Sequence, residues 1–419
     1  MNEEGRWAGP STTTTGLFLT AIGVFVVTVA IGILNGLDLV EFDHDTLMTH
    51  VHSGTLGWIT LAVFVVCGWM FGATAGPEET RGGGSRTWRW LAWLSIVSIP
   101  LYVLAFWTGN IGFRALTSLP VFAAIAGLLL WLLAASRAVN LTTPRLAVLA
   151  AVATLAVGGF FGTLIQVQLL LVRELVPLAR AGGGHVTAMA FGYLVLVGMA
   201  IVEWRLGPRA AGLSRAGAAQ VAALFVGSLL LTIGAVANIQ ALLSLNVVFQ
   251  LIAVAIFVAR MARPIAAVPW LATGGARYVA ASGVFVVIDI LLLAYLIVQF
   301  VSGAYGPMDE DISVMAIPAW LIFALDHAIF VGVMTNAIFG LIFAATRDRS
   351  TFWPWADHAV FVGTNAGLIG FVVGLAAESG LLTQAFSPIM GASILLGLYV
   401  CAVRLLRAWR QNTIGAASA

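Results

Sequence analysis

Residues 48–71 read MTHVHSGTLGWITLAVFVVCGWMF, an unbroken apolar run opened by His50 and His52. A stretch of roughly 20 apolar residues is long enough to cross the hydrocarbon of a bilayer. An ionisable side chain at that depth is costly and marks a functional group by default. Two residues along an α-helix differ by about 200° in direction, so the two rings cannot grip one ion together. Either they serve two sites, or one binds and the other hydrogen-bonds or faces the headgroups.

The rest of the chain has the same character. Of 419 residues, 61% are hydrophobic and 9% charged, against about a quarter charged in soluble domains. Twelve apolar runs of spanning length follow one another: 16–36, 48–71, 89–108, 115–136, 146–171, 184–204, 217–237, 241–259, 278–300, 321–345, 358–377 and 386–406. Short loops join them and leave no room for an inserted soluble domain. The expected fold is an all-α membrane protein, a polytopic bundle of about 12 transmembrane helices forming a single transmembrane domain over 1–419. The opening MNEEGRWAGPSTTTTG lacks a cationic segment and a small-residue cleavage site, so the first run reads as a retained span rather than a signal peptide.

All twenty basic residues are arginine, and they alternate between loops. One side, including both termini, takes all of them except Arg114, Arg173 and Arg180; the other side carries the acidic runs Asp38–Asp45 and Asp309–Asp311. The positive-inside rule puts both termini in the cytoplasm. The net charge of +2 is scattered between apolar blocks, which argues for lipid around the chain and against nucleic acid as a partner. Cys67 and Cys401 both fall inside spans, so a disulfide framework, a zinc knuckle and a CxxCH haem attachment are excluded.

Four histidines share one membrane level. His50 and His52 open the second span, His185 starts the sixth, and His327 lies in the outer third of the tenth, behind an interfacial MAIPAW. His44 falls in the acidic outer loop, where it reads as solvated, and His358 alone lies at the cytoplasmic end. Neutral imidazole binds iron and copper well. The glycines Gly54, Gly57, Gly192 and Gly332 beside these histidines could admit a flat ring, although glycine also serves plain helix packing. An internal echo joins two of the spans: HVHSGTLGW from His50 and HVTAMAFGY from His185 are both H-V, five residues, then glycine and an aromatic. A second echo pairs DHAIFVGVMTN from Asp326 with DHAVFVGTN from Asp357, on opposite sides of the membrane.

Twelve spans, histidines on spans two, six and ten, and the H-x-H-x4-G-W pattern on span two resemble the haem-copper oxidase subunit I superfamily. The nearest flavour is its divergent C-type oxidase, nitric-oxide-reductase and NnrS-like members. The resemblance implies a bacterial-type cytoplasmic (inner) membrane and a low-spin haem b between spans two and ten, held by His52 or His50 opposite His327. It also implies a metal at His185, which matches a copper ligand of the family, and an oxidoreductase acting on NO or O2. Span seven, residues 217–237, holds no histidine, and the family's span-ten histidine pair is reduced to His327, so the full copper site is missing. A second haem between the span-two pair and His185 is the alternative to copper there. With no c-haem site, the electron donor is a quinol or another protein.

Other polar groups carry weaker expectations. Asp289, Tyr295 and Gln299 could form a proton route, or Asp289 a helix–helix hydrogen bond. Gln166 and Gln168 could bond a haem edge or another helix. Arg173 could pair with haem propionates. Glu203 reads as solvated. A secondary transporter with outer-level histidines, and an accessory protein that holds haem or copper without turnover, are the competing readings.

Overall fold

Helix starts in this chain are marked by short polar side chains. The hydroxyl of Ser11, the carboxylate of Asp43 and the amide oxygen of Asn110 each accept from a backbone N–H three residues on, that of Thr14, Thr46 and Phe113 respectively. Such caps satisfy N–H groups that the helix leaves without partners. The same bonds from Thr46 hold the exposed Asp43 carboxyl below the usual carboxylate range.

The computed structural model describes residues 11–72, 85–208, 212–306, 316–346 and 353–417. Among them, twelve helices are long and apolar enough to cross a membrane. They are α1 (Thr12–Gly36), α2 (His44–Phe71), α3 (Arg86–Trp107), α4 (Ile111–Ala135), α5 (Thr143–Leu171), α6 (Leu178–Leu206), α7 (Arg215–Ala237), α8 (Gln240–Ala266), α9 (Gly275–Val301), α10 (Ala319–Ala345), α11 (Pro354–Ala376) and α12 (Gly380–Gln411). All twelve expected spans are present. The chain is thus an integral membrane bundle by length and composition.

Several helices begin earlier than the apolar runs, among them the three that carry the outer-level histidines. Helix α2 begins at His44, which is exposed, and α10 begins at Ala319 after Pro318. Helix α6 begins at Leu178, so His185 lies two turns inside it rather than at its start. The run Ala-Gly-Gly-Gly at 181–184 has poor intrinsic helicity. It is helical because Gly183 and Gly184 pack directly on Ala235 and Val236 of α7, where a larger residue would not fit. The acidic run Asp309–Asp311 and the arginines Arg6, Arg81, Arg209, Arg347 and Arg349 lie outside the described residues.

The bundle has an inner layer and an outer one. The most apolar stretch of α2 is 89% buried, that of α6 78% and that of α10 89%, against 33–56% in the other nine. These three helices therefore form the core. The outer helices pack in sequence, α3 on α4, α4 on α5, α7 on α8, α8 on α9 and α11 on α12, and α1 closes the ring against α12.

Each inner helix widens into a π-helical stretch just past its histidine: Ser53–Thr60, Ala188–Leu194 and Ala328–Thr335. In two of them the last residue seals the wider turn, with the Thr60 hydroxyl donating to the Thr55 carbonyl at 3.0 Å and that of Thr335 to Phe330 at 2.9 Å. Such widened turns concentrate at functional sites. The stretches are also joined to one another. Tyr193 of α6 donates to Thr60 of α2 at 3.2 Å, and Trp58 of α2 donates to Thr335 of α10 at 3.1 Å.

These bonds run one way round the core, from α6 to α2 and from α2 to α10. Aligning Gly57, Gly192 and Gly332 makes Trp58 equivalent to Tyr193 and Thr60 to Thr335. The third step, from α10 to α6, would use Val333 and Val195, which have no polar side chain. The core is a threefold repeat with two polar seams and one apolar seam.

Candidate functional site

The same alignment sorts the histidines into two positions. His50 and His185 lie seven residues before the glycine; His52 and His327 lie five before it. Each position has its own hydrogen bond. His50 Nδ1 is 2.8 Å from the Thr28 carbonyl of α1, and His185 Nδ1 is 2.8 Å from the Gly158 carbonyl of α5. Both partners lie on the outer helix that precedes the histidine's own. His52 Nδ1 is 2.7 Å from the Met48 carbonyl and His327 Nδ1 2.7 Å from the Phe323 carbonyl, each one turn back on its own helix.

A carbonyl oxygen only accepts, so in all four rings it is Nδ1 that carries the proton. The lone pair of a neutral imidazole is then on Nε2, available to a metal. Backbone carbonyls that fix tautomer and ring direction in this way are the usual support of metal-binding histidines. Glycine gives the two outward-braced rings their room. An added Cβ at Gly32 would lie 3.1 Å from His50 Cε1, and one at Gly162 would lie 3.0 Å from His185 Cε1.

Two of the four rings, His52 and His185, lie side by side. Their centres are 6.4 Å apart and their planes 14° apart. His50 and His327 interact electrostatically across α2 and α10, with no direct contact between their rings. His50 turns toward α1 and His52 toward α3, as the 200° separation of the two positions requires. The third interface, α10 with α6, has Leu325 and Thr187 at the equivalent positions and no histidine.

The His52–His185 pair lines a narrow, partly open crevice with a cavity volume of about 40 Å³. Phe106 stacks on His52 at 4.1 Å with planes 16° apart, and Tyr102 meets its edge at 5.8 Å. Phe122, Gly159, Met189 and the hydroxyls of Ser118 and Thr163 complete much of the wall. The Phe371 ring lies 4.8 Å from His327.

The donor set bears on which metal would fit. Among the described residues no three histidine, cysteine, aspartate or glutamate side chains gather around one point. Bare zinc takes three or four protein ligands, and copper sites are similarly rich in donors. A site with two opposed imidazoles suits a metal that brings its own four equatorial nitrogens, as haem does.

The remaining candidates are scattered. Arg173 is exposed, just past the left-handed Val172 (φ 50°) that ends α5. Gln168 is fully engaged with its own loop: its oxygen accepts from Leu175 N at 2.9 Å and Val176 N at 2.7 Å, and its nitrogen donates to Val176 O. Gln166 is buried with its oxygen unpartnered. Asp289 is completely buried, neither oxygen has a hydrogen bond, and Asp326 lies within electrostatic range. Tyr295 faces outward at 45% exposure beside Trp320, so the structure does not bring it and Asp289 together.

One expectation is corrected. Glu203 is buried, not solvated: its carboxylate pairs with Arg260 at 2.9 Å and accepts from Gln220 at 2.7 Å. His358 is braced by Arg277, whose Nη1 lies 3.0 Å from its Nδ1, so the second Asp-His motif belongs to another environment. Arg114 was not singled out by any motif. It is buried in α4, bonded to Asp45 at 2.8 Å, and its guanidinium lies 5.2 Å over the Phe106 ring that stacks on His52. No spacing rule links a residue of α4 to a site on α2 and α6.

No family model and no curated protein matches the chain. Residue chemistry and geometry therefore carry the functional argument.

Proposed function

We propose that this protein is an integral membrane haem protein that holds two haems side by side, one between His52 and His185 and one between His50 and His327, and passes electrons between them. The observation that carries this reading is shared by all four histidines: Nδ1 is committed to a backbone carbonyl, so each ring offers Nε2. The 6.4 Å separation of the first pair supports it.

Bound haem would supply one-electron chemistry. The protein's part is to hold and orient. The Thr28, Met48, Gly158 and Phe323 carbonyls fix the rings, and Phe106, Tyr102 and Met189 keep water from the first site. A haem held by two of these histidines would have no room to bind O2 or NO. The reading is thus electron transfer rather than gas reduction, which departs from the oxidase and NO-reductase activities of the family that the sequence resembles. His50 and His52 differ by only about 3 Å of helix rise. The two sites share one membrane level, at the arginine-poor end, and a quinol or protein donor and its acceptor would both be met there.

Reduced-minus-oxidised absorption spectra of the purified protein and of four variants test this. His52→Ala and His185→Ala should abolish one spectral component, and His50→Ala and His327→Ala the other. The absence of any Soret band, or equal loss from both components in every variant, would overturn the assignment. A transporter reading draws on the unpartnered Asp289 carboxyl; it predicts no Soret band and substrate uptake that fails in Asp289→Asn.

A further inference from the structure

Arg114 is 10% exposed at its side chain, yet its hydrogen bonds use one of five N–H donors, the Nη1 bond to Asp45. Its Nε is buried without any partner. A guanidinium under-satisfied in this way is costly unless something else meets it. Its surroundings point toward the first crevice. The cation lies over Phe106, which also stacks on His52 and meets the edge of Tyr102, and it is near enough to His52 to act on it electrostatically. One turn along α4, Ser118 lines the crevice, and residues four apart share a helix face. Asp45 is the looser partner, with 35% of its side chain exposed.

We propose that Arg114 is the anion anchor of the His52–His185 crevice: it binds the carboxylate edge of the ligand held there, and Asp45 is its resting counter-ion. The inference rests on the haem reading given above and adds which edge of the ligand faces α4. Arginine suits the task, since its planar fork can bond a carboxylate through two parallel N–H groups. Asp45 and the incoming carboxylate compete for the same cation. Neutralising Asp45 therefore strengthens binding in this account. If Arg114 and Asp45 merely braced α4 against α2, losing either one would do equal harm.

The test measures transfer of ferric haem from the full-length protein to excess apomyoglobin, for mesohaem and for its dimethyl ester, whose carboxylates are uncharged. In the unsubstituted protein one of the two sites should release the ester at least tenfold faster than the free acid. Arg114→Gln should release both at the same fast rate from that site, and Arg114→Lys should recover part of the difference. Asp45→Asn should retain the free acid as long as the unsubstituted protein or longer. The His50–His327 site reports folding in every variant, because it stays loaded. Arg114→Gln with unchanged release, or Asp45→Asn with release as fast as Arg114→Gln, overturns the anchor while leaving the haem reading intact. A protein that takes up neither compound overturns both.

Discussion

His50 and His185 occupy the same place in two different helices. Each lies seven residues before the glycine of its π-helical stretch, each bonds the carbonyl of the preceding outer helix at 2.8 Å, and each has a glycine of that helix against its ring. One structural unit has been used twice. Repeated around the core, it sets His185 beside His52 on the neighbouring inner helix, and the proposed second pair is its counterpart.

If the proposed haems are each held by two histidines, nothing is left for an external ligand. The dithionite-reduced protein should show no spectral shift under carbon monoxide. His185→Ala should open one position and give a carbon monoxide adduct in about half of the haem. A full shift in the unsubstituted protein would point to an open site and to gas chemistry.

The two glycines that face the rings should be specific to their own sites. Gly162→Ala sets a Cβ 3.0 Å from the His185 ring, and Gly32→Ala one 3.1 Å from His50. Disturbing the support of a metal-binding histidine typically weakens binding about tenfold or more. Apomyoglobin capture should therefore find Gly162→Ala faster at the His52–His185 site alone and Gly32→Ala faster at the other alone. Equal effects on both would break the link between glycine and pair.

The polar seams should contribute to stability without setting the spectrum. Tyr193→Phe and Trp58→Phe remove single buried hydrogen bonds to Thr60 and Thr335. Each should cost about 1 kcal/mol, read from denaturant unfolding in detergent, with haem content unchanged. Loss of haem in either variant would make these residues part of the sites.

At the opposite end of the bundle, Arg260→Ala strands the Glu203 carboxylate, whose side chain is only 4% exposed. Breaking a buried pair on one side costs about 3 kcal/mol. Glu203→Gln keeps an amide that can still accept from Arg260 and should cost less. Unfolding midpoints in the opposite order would show that Glu203 is not held as a charged group.

Much of the fold was legible because a spanning helix must be apolar along its length, whatever surrounds it. The opposed directions of His50 and His52 followed from helix geometry, and the H-V…G-aromatic echo marked a true repeat. The pairing did not follow: it is His52 that lies beside His185, because the packing of α2 on α6 joins residues far apart in the chain. Arg114 and Glu203 were misread or missed for the same reason. Their partners, Asp45 and Arg260, are 69 and 57 residues away in the chain. The Asp-His echo reads in the sequence as spanning opposite sides, and the two histidines do have different partners, the Phe323 carbonyl for His327 and Arg277 for His358.

Counting haem per polypeptide in the purified, unsubstituted protein by its pyridine haemochrome tests the central claim most directly. Two per chain is the expected value. A value of one, or none, would contradict the assignment of four imidazoles to two axial pairs.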